Sequence, residues 1–255
     1  MSPPRQPAPA GELQVIGEYR GLLFVDKPAG LQTEPDARHA DTLVTRLAAQ
    51  LGLPAAEIHA LSRLDTGVSG VVTLGLTHEA RRLVTNWRTL GQFRRRYLAL
   101  ASGNASAPSG EWTESIGRAS GNLRRAAGQR AELARTSYAL IASSPLFARA
   151  SPRQVQLLAL SPRTGRTHQL RVHAAAHGLP LLGDRAYGGA SRLTAETGSV
   201  RSLDRIALHA AWVELPLAEP LRFEAAVPRE LLQIWGDFAG DEVDFGRAAQ
   251  APLAD

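Results

Sequence analysis

The sequence predicts an α+β fold, a largely antiparallel mixed β-sheet with flanking helices and long basic loops. Three observations predict it. Short apolar runs bounded by Gly, Pro and Asp recur along the chain, but without the strand–helix alternation of a parallel α/β sheet. A few segments with helical apolar spacing and recognisable caps lie between them. The 255 residues, 44% of them hydrophobic, suit one large core or two small ones.

In chain order, residues 1–16 read as a flexible, Pro/Ala-rich tail, and a single folded domain is expected over 17–238. GLLFVDKP (21–28) is a buried strand stopped by Pro28, followed by the turn PAG. TLVTRLAAQLG (42–52) is a helix ended by Gly52, and HEARRLVTNWRTL (78–90) is a second. Strands are expected at 71–76, 97–102, 136–143, 155–160, 207–215 and 221–227. Residues 103–135 are rich in Ser, Gly, Ala and Arg and read as long basic loops carrying Arg118, Arg124, Arg125, Arg130 and Arg135. RTHQLRVHAAAHG (166–178) is a short helix, PRELLQIW (228–235) a last one, and 239–255 a flexible acidic tail.

Composition removes whole classes of function. With no cysteine, there is no disulfide framework, thiolate chemistry, Cys-ligated zinc or iron–sulfur cluster. No apolar run is long enough to span a bilayer, and the start MSPPRQPAPA lacks the apolar stretch of a signal peptide, so a cytoplasmic protein without a membrane partner is expected. Charge is unevenly spread. Residues 1–80 hold 6 basic and 9 acidic side chains, residues 81–171 hold 16 and 3, and residues 172–255 hold 7 and 12. Lys27 is the sole lysine, so the cationic middle is built from arginine, which grips phosphate in two-pronged fashion. A polyanion, nucleic acid first, is the favoured partner.

Two segments carry chemistry. In LSRLDTGVSGVV (61–72), Asp65 lies between an arginine two residues earlier and a Gly/Ser turn that leads into a strand. Backbone N–H groups and a guanidinium there would keep it ionised. An Asp that only caps the turn has the same local sequence, and an aspartic protease would need a second Asp-Thr-Gly to share a proton, which is absent. SPRTGRTHQLRVHAAAHGLPLLGDRAYGG (161–189) gathers Arg163, Arg166, Arg171, His168, His173 and His177 around glycine turns. His173 and His177 have the spacing of a helical metal pair, but no acidic third ligand precedes Asp184, and no metal is expected. Gly-Lys-Ser/Thr is absent, so the glycines are not a P-loop.

RLDTGVSG (63–70) resembles the Arg-Leu-Asp-x-x-x-Ser-Gly core of the RluA-type pseudouridine synthases, and TGRTHQLRVH followed by GLPLLGDRAYG resembles that family's second signature. LLFVDKPAGL (22–31), RRRYLAL (94–100) and IALHAAWVELP (206–216) resemble its opening strand, tyrosine strand and closing strand, in order, so the likeness covers roughly 17–235. The sequence departs from the common pattern at Ser62, at Thr-Gly-Val after Asp65, and at Arg95.

The resemblance implies the pseudouridine synthase fold, a catalytic domain without a separate N-terminal RNA-binding domain, and no cofactor. It implies a catalytic set of Asp65, Tyr97 and Arg171, with Tyr97 stacking on the target base and Arg171 pairing with Asp65. Arg63, Arg95, Arg166, His168 and Leu170 are expected to bind substrate. The implied partner is structured rRNA or tRNA with a flipped-out uridine, bound by a monomer. Asp65 would either attack C1′ or remove the C2′ proton, and both roles require a carboxylate. The rival functions are an inactive RNA-binding module on the same fold and an Asp-dependent hydrolase.

Overall fold

The structure, a computed structural model, describes residues 11–118, 125–127, 132–145, 154–194 and 200–253. Its elements run β1 (Gln14–Tyr19), β2 (Leu22–Lys27), α1 (Leu43–Leu51), β3 (His59–Ala60), β4 (Ser69–Gly75), α2 (His78–Thr89), β5 (Arg94–Gly103), β6 (Ser109–Trp112), β7 (Ile116–Arg118), β8 (Arg125–Ala127), β9 (Thr136–Pro145), β10 (Gln154–Pro162), α3 (Gln169–Ala176), β11 (Arg192–Thr194), β12 (Val200–Ser202), β13 (Leu208–Leu215), β14 (Leu221–Glu224), α4 (Arg229–Asp237) and α5 (Val243–Gln250). The fold is α+β, as the mixture of runs predicts. The described chain forms two compact units, one up to Arg94 with Ala210–Ala226, the other Arg95–His209 with the residues from Val227 on. Among the described residues no helix is long and apolar enough to cross a membrane.

In the first unit, β1, β2 and β4 pair antiparallel, β3 joins β4, and β14 pairs antiparallel with β13. Helix α1 follows from its sequence. Thr42 caps it by accepting from the Thr45 N–H, the Thr45 hydroxyl accepts in turn from the Thr42 N–H, and Gly52 ends it in the left-handed conformation. Leu43, Val44, Leu47 and Ala48 are its buried face. Thr77 caps α2 by accepting from the Ala80 N–H, and that helix buries Ala80, Val84 and Trp87 with Leu22, Phe24, Val71, Val213 and Phe223. Phe24 and Phe223 stack with ring centroids 3.8 Å apart.

The second unit is built on β5, β10, β9 and β6, each antiparallel to the next. Leu98, Leu100, Leu157, Leu158 and Leu160 are buried on β5 and β10.

Three expectations need correction. The N-terminal tail is shorter than expected, because β1 starts at Gln14 and the Gln50 amide bonds both the N–H and the carbonyl of Leu13, at 2.9 and 3.0 Å. Within the region expected as one domain, 17–238, the described residues form the two units above. The loops of 103–135 contain β6, β7 and β8: Trp112, Ile116 and Ala134 are buried, and Ile116 and Ala134 pack with Val172 of α3. Arg124 and Arg130 lie outside the described residues. The acidic tail carries α5, which buries Phe245 and Ala248. Trp235 of α4 donates its indole N–H to the Asp244 carboxylate, and Arg96 of β5 donates to the carbonyls of Ala248 and Ala251.

Candidate active site

The sequence-predicted residues divide between the units, Arg63 and Asp65 in the first and Arg95, Tyr97, Arg166, His168, Leu170 and Arg171 in the second. Each group has a local architecture that fixes it.

Asp65 is half-buried on the connection from β3 to β4. Its neighbours on both sides are tied to the turn after β2. The Thr33 hydroxyl accepts from the Leu64 N–H at 3.2 Å and donates to the Leu64 carbonyl at 2.9 Å. The Gly30 N–H donates to the Thr66 carbonyl at 2.7 Å. Within the loop the Val68 N–H donates to the Asp65 carbonyl at 2.9 Å, and upstream the Ser62 hydroxyl accepts from the Thr73 N–H at 2.8 Å. Downstream, Gly70 has φ +111°, and a Cβ there would lie 2.2 Å from the Ala210 carbonyl oxygen, so glycine is required for the strand to leave the loop at this angle.

The turn that holds this loop is itself organised by Lys27, whose side chain is fully buried. Its ammonium donates to the Leu31 carbonyl at 2.6 Å and the Pro28 carbonyl at 3.0 Å. A buried ammonium needs such acceptors, and here they draw the Pro28–Leu31 turn together beneath Gly30. Arg63, by contrast, is largely exposed, with its guanidinium 3.5 Å from Glu34.

In the second unit the TGRTHQLR segment is bound to its surroundings through Gln169. The Gln169 side-chain oxygen accepts from the Arg166 N–H at 3.0 Å and the Thr164 hydroxyl at 2.7 Å, while its amide donates to the Arg135 carbonyl and to the Thr136 hydroxyl oxygen. Arg95 donates to the carbonyls of Pro162 and Thr164, both at 3.0 Å, and so fastens the same loop to β5. Tyr97, two residues along β5 and therefore on the face that carries Arg95, is mostly buried and sits opposite Leu160. Arg166 donates to the Leu133 carbonyl and pairs with Glu132.

The helix expected over 166–178 begins at Gln169, and His168 is its N-cap in the left-handed conformation, φ 59°. Leu170 and Arg171 are buried in the first turn. Arg171 makes a two-pronged pair with Asp184, Nε to Oδ2 at 2.7 Å and Nη2 to Oδ1 at 2.8 Å, and its guanidinium lies 4.9 Å from the Tyr187 ring centre. The Tyr187 hydroxyl is 2.8 Å from His168 Nδ1.

The two histidines spaced like a helical metal pair have other partners. His173 is fully buried, with Nδ1 2.9 Å from the Thr136 hydroxyl and Nε2 2.9 Å from the Glu114 carbonyl. The Glu114 carbonyl can only accept, so Nε2 carries a proton. Burial holds the His173 pKa below the usual histidine value. His177 lies 2.9 Å from the Glu114 carboxylate and stacks on Trp112. Among the described residues no group of three His, Asp or Glu side chains could hold a metal ion.

Sequence reasoning missed Thr33, Gly30, Gln169, Asp184 and Tyr187 as parts of the site. Lys27 had one signal, its being the sole lysine of an arginine-rich chain.

The first unit thus holds an anchored carboxylate, Asp65, and the second a buried guanidinium, Arg171, and a mostly buried tyrosine, Tyr97. Comparison with known proteins gives the family. A family profile described as RNA pseudouridylate synthase matches residues 21–176. An uncharacterized RNA pseudouridine synthase of Bacillus subtilis is 31% identical over 228 residues, covering 87% of this chain and 70% of that protein. A ribosomal large subunit pseudouridine synthase D of Xylella fastidiosa is 32% identical over 247 residues, covering 91% and 71%. Among solved structures, human RNA pseudouridylate synthase domain containing 1 superposes with a TM-score of 0.69 at 23% identity, over 98% of this chain and 100% of that one, a likeness of fold.

Proposed function

The chain belongs to the RNA pseudouridylate synthase family, and from that premise we propose that Asp65 is the catalytic carboxylate with which it converts uridine to pseudouridine in structured RNA. Membership makes it an isomerase with RNA as its substrate. The reaction breaks the N1–C1′ bond, turns the base and joins C1′ to C5. The C5 proton is lost and N1 gains one, so the step neither oxidises nor hydrolyses and calls for no cofactor.

The observation that carries the assignment of Asp65 is the double tie on its neighbours, Thr33 on Leu64 and Gly30 on Thr66. A surface aspartate that only caps a turn has no use for a clamp on each side. A carboxylate that must meet a sugar carbon within a fraction of an ångström does. Whether it attacks C1′ or removes the C2′ proton, it must be ionised, and in this reading Arg171 holds that charge while Tyr97 presents its ring to the base. Leu170 lines the base pocket, and Arg63, Arg95, Arg166 and His168 bind the substrate around it. The catalytic region is 17–238.

The target uridine is flipped out of its helix at a cost of roughly a few kcal/mol, which phosphate contacts from the arginine-rich middle of the chain offset. We take large-subunit ribosomal RNA as the first target to test, after the name of the Xylella relative, with transfer RNA second. The protein acts as a monomer in the cytoplasm.

Mapping pseudouridine across ribosomal and transfer RNA from cells with and without the gene tests this reading. Loss of at least one defined site in the deletion is expected. Identical maps would overturn it in favour of an inactive RNA-binding module.

A further inference from the structure

We propose that Asp184 and Tyr187 are positioning residues for the isomerisation, which together set the plane and the heading of the Arg171 guanidinium. The proposal rests on the reading of Arg171 as the partner of the catalytic carboxylate.

A guanidinium on a long side chain has two kinds of freedom to lose. It can swing within its own plane, and the plane can tilt. The side-on pair with Asp184 removes the first, because two parallel N–H···O bonds of 2.7 and 2.8 Å allow one in-plane orientation. The Tyr187 ring under Cζ removes the second. That pair uses Nε and one hydrogen of Nη2, so the Nη1 edge points away from Asp184 and is the edge presented to another acceptor. Tyr187 is in turn held at its hydroxyl by His168, the N-cap residue of α3.

The turn that carries both residues is built for fixed placement. The Asp184 carbonyl accepts from the N–H groups of Tyr187 and Gly189 at 3.1 and 2.8 Å. A Cβ at Gly183 would lie 1.8 Å from the Arg205 carbonyl oxygen, and one at Gly189 1.8 Å from that of Leu181, so the backbone packs where only glycine fits. The pair itself is out of solvent, with side chains 8% and 1% exposed. A buried ion pair of this kind is a poor source of stability compared with apolar packing, and its natural use is to specify geometry.

A double-mutant cycle on turnover tests the proposal. The substrate is a large-subunit ribosomal RNA transcript labelled with tritium at uridine C5, assayed in single turnover with enzyme in excess, beside RNA affinity and melting temperature. Asp184→Asn should slow turnover roughly tenfold or more, leave RNA affinity within about twofold, and add nothing further in an Arg171→Ala background. Tyr187→Leu should show the same non-additivity with a smaller loss, and it keeps the test open if Asp184→Asn fails to fold. Losses that multiply in the Arg171→Ala background would overturn the proposal, because a merely structural residue acts whatever stands at 171. Full turnover by Arg171→Ala alone would overturn the reading of Arg171 beneath it, and the proposal with it.

Discussion

Thr33 grips both backbone groups of Leu64 with one hydroxyl, accepting from its N–H at 3.2 Å and donating to its carbonyl at 2.9 Å. Leu64 is the residue before Asp65, so a side chain 31 positions before Leu64 fixes the entry to the Asp65 loop. Thr33 also touches the start of α1, since the Val44 N–H donates to the Thr33 carbonyl. The loop is thereby coupled to the rigid part of its unit.

Thr33→Val keeps the shape of the side chain and removes both bonds. It should cost about 1–3 kcal/mol in unfolding free energy, since a buried N–H and a buried carbonyl lose their shared partner. Turnover should fall more than RNA affinity, because the carboxylate rather than the RNA surface is loosened. Urea titration and single-turnover kinetics read the two effects separately.

Lys27→Met retains much of the stem volume and removes the ammonium that gathers the Pro28 and Leu31 carbonyls. Carbonyls left buried without a donor should cost about 2–4 kcal/mol. Lys27→Arg should not restore the wild type, because a planar fork does not fit acceptors arranged around a point charge. The midpoint of urea unfolding for the two variants checks both statements.

Much of this was legible in the sequence where the determinants were local. Strand β2, both helices of the first unit and the Asp65 loop announce themselves by apolar runs, Thr caps and glycine turns within a dozen residues. What was not legible depends on partners far along the chain. The acidic stretch with α5 looks like a tail, because only Phe245 and Ala248 mark its apolar face and the Arg96 that holds its end lies 152 residues before Ala248. The same holds for Arg171, whose Asp184 partner is 13 residues on and sits within a glycine turn that reads as a loop. The strands of 103–135 are short, and among their many small residues Trp112 and Ile116 were weak signals of burial.

His173 makes stability depend on pH with a definite sign. Its folded pKa lies below the ordinary value of 6.5, so the unfolded chain takes up a proton that the folded protein resists. Its contribution is therefore fully present above about pH 6.5 and is lost as pH falls from there toward the folded pKa. His173→Gln can still accept from Thr136 and donate to the Glu114 carbonyl, and it does not titrate. Melting temperature measured from pH 7.5 down to 5.5 should fall more steeply for the wild type than for this variant.

The arginine-rich middle should bind phosphate. Replacing Arg118, Arg124 and Arg125 by Gln, singly and in pairs, should flatten the dependence of log K on log salt by roughly 0.7–0.9 for each phosphate interaction removed. Chemistry on RNA that remains bound should continue. Filter binding over a range of potassium chloride concentrations gives the slope, and an unchanged slope would move the RNA path off this segment.

The measurement that bears most directly on the central claim is turnover by Asp65→Asn on the RNA site identified by mapping, with the mass of the variant checked to exclude deamidation. The swap keeps the shape of the side chain and removes the charge, so folding and RNA affinity should stay close to wild type while pseudouridine formation is abolished. Measurable turnover by an intact Asn variant would contradict the assignment of Asp65 as the catalytic carboxylate.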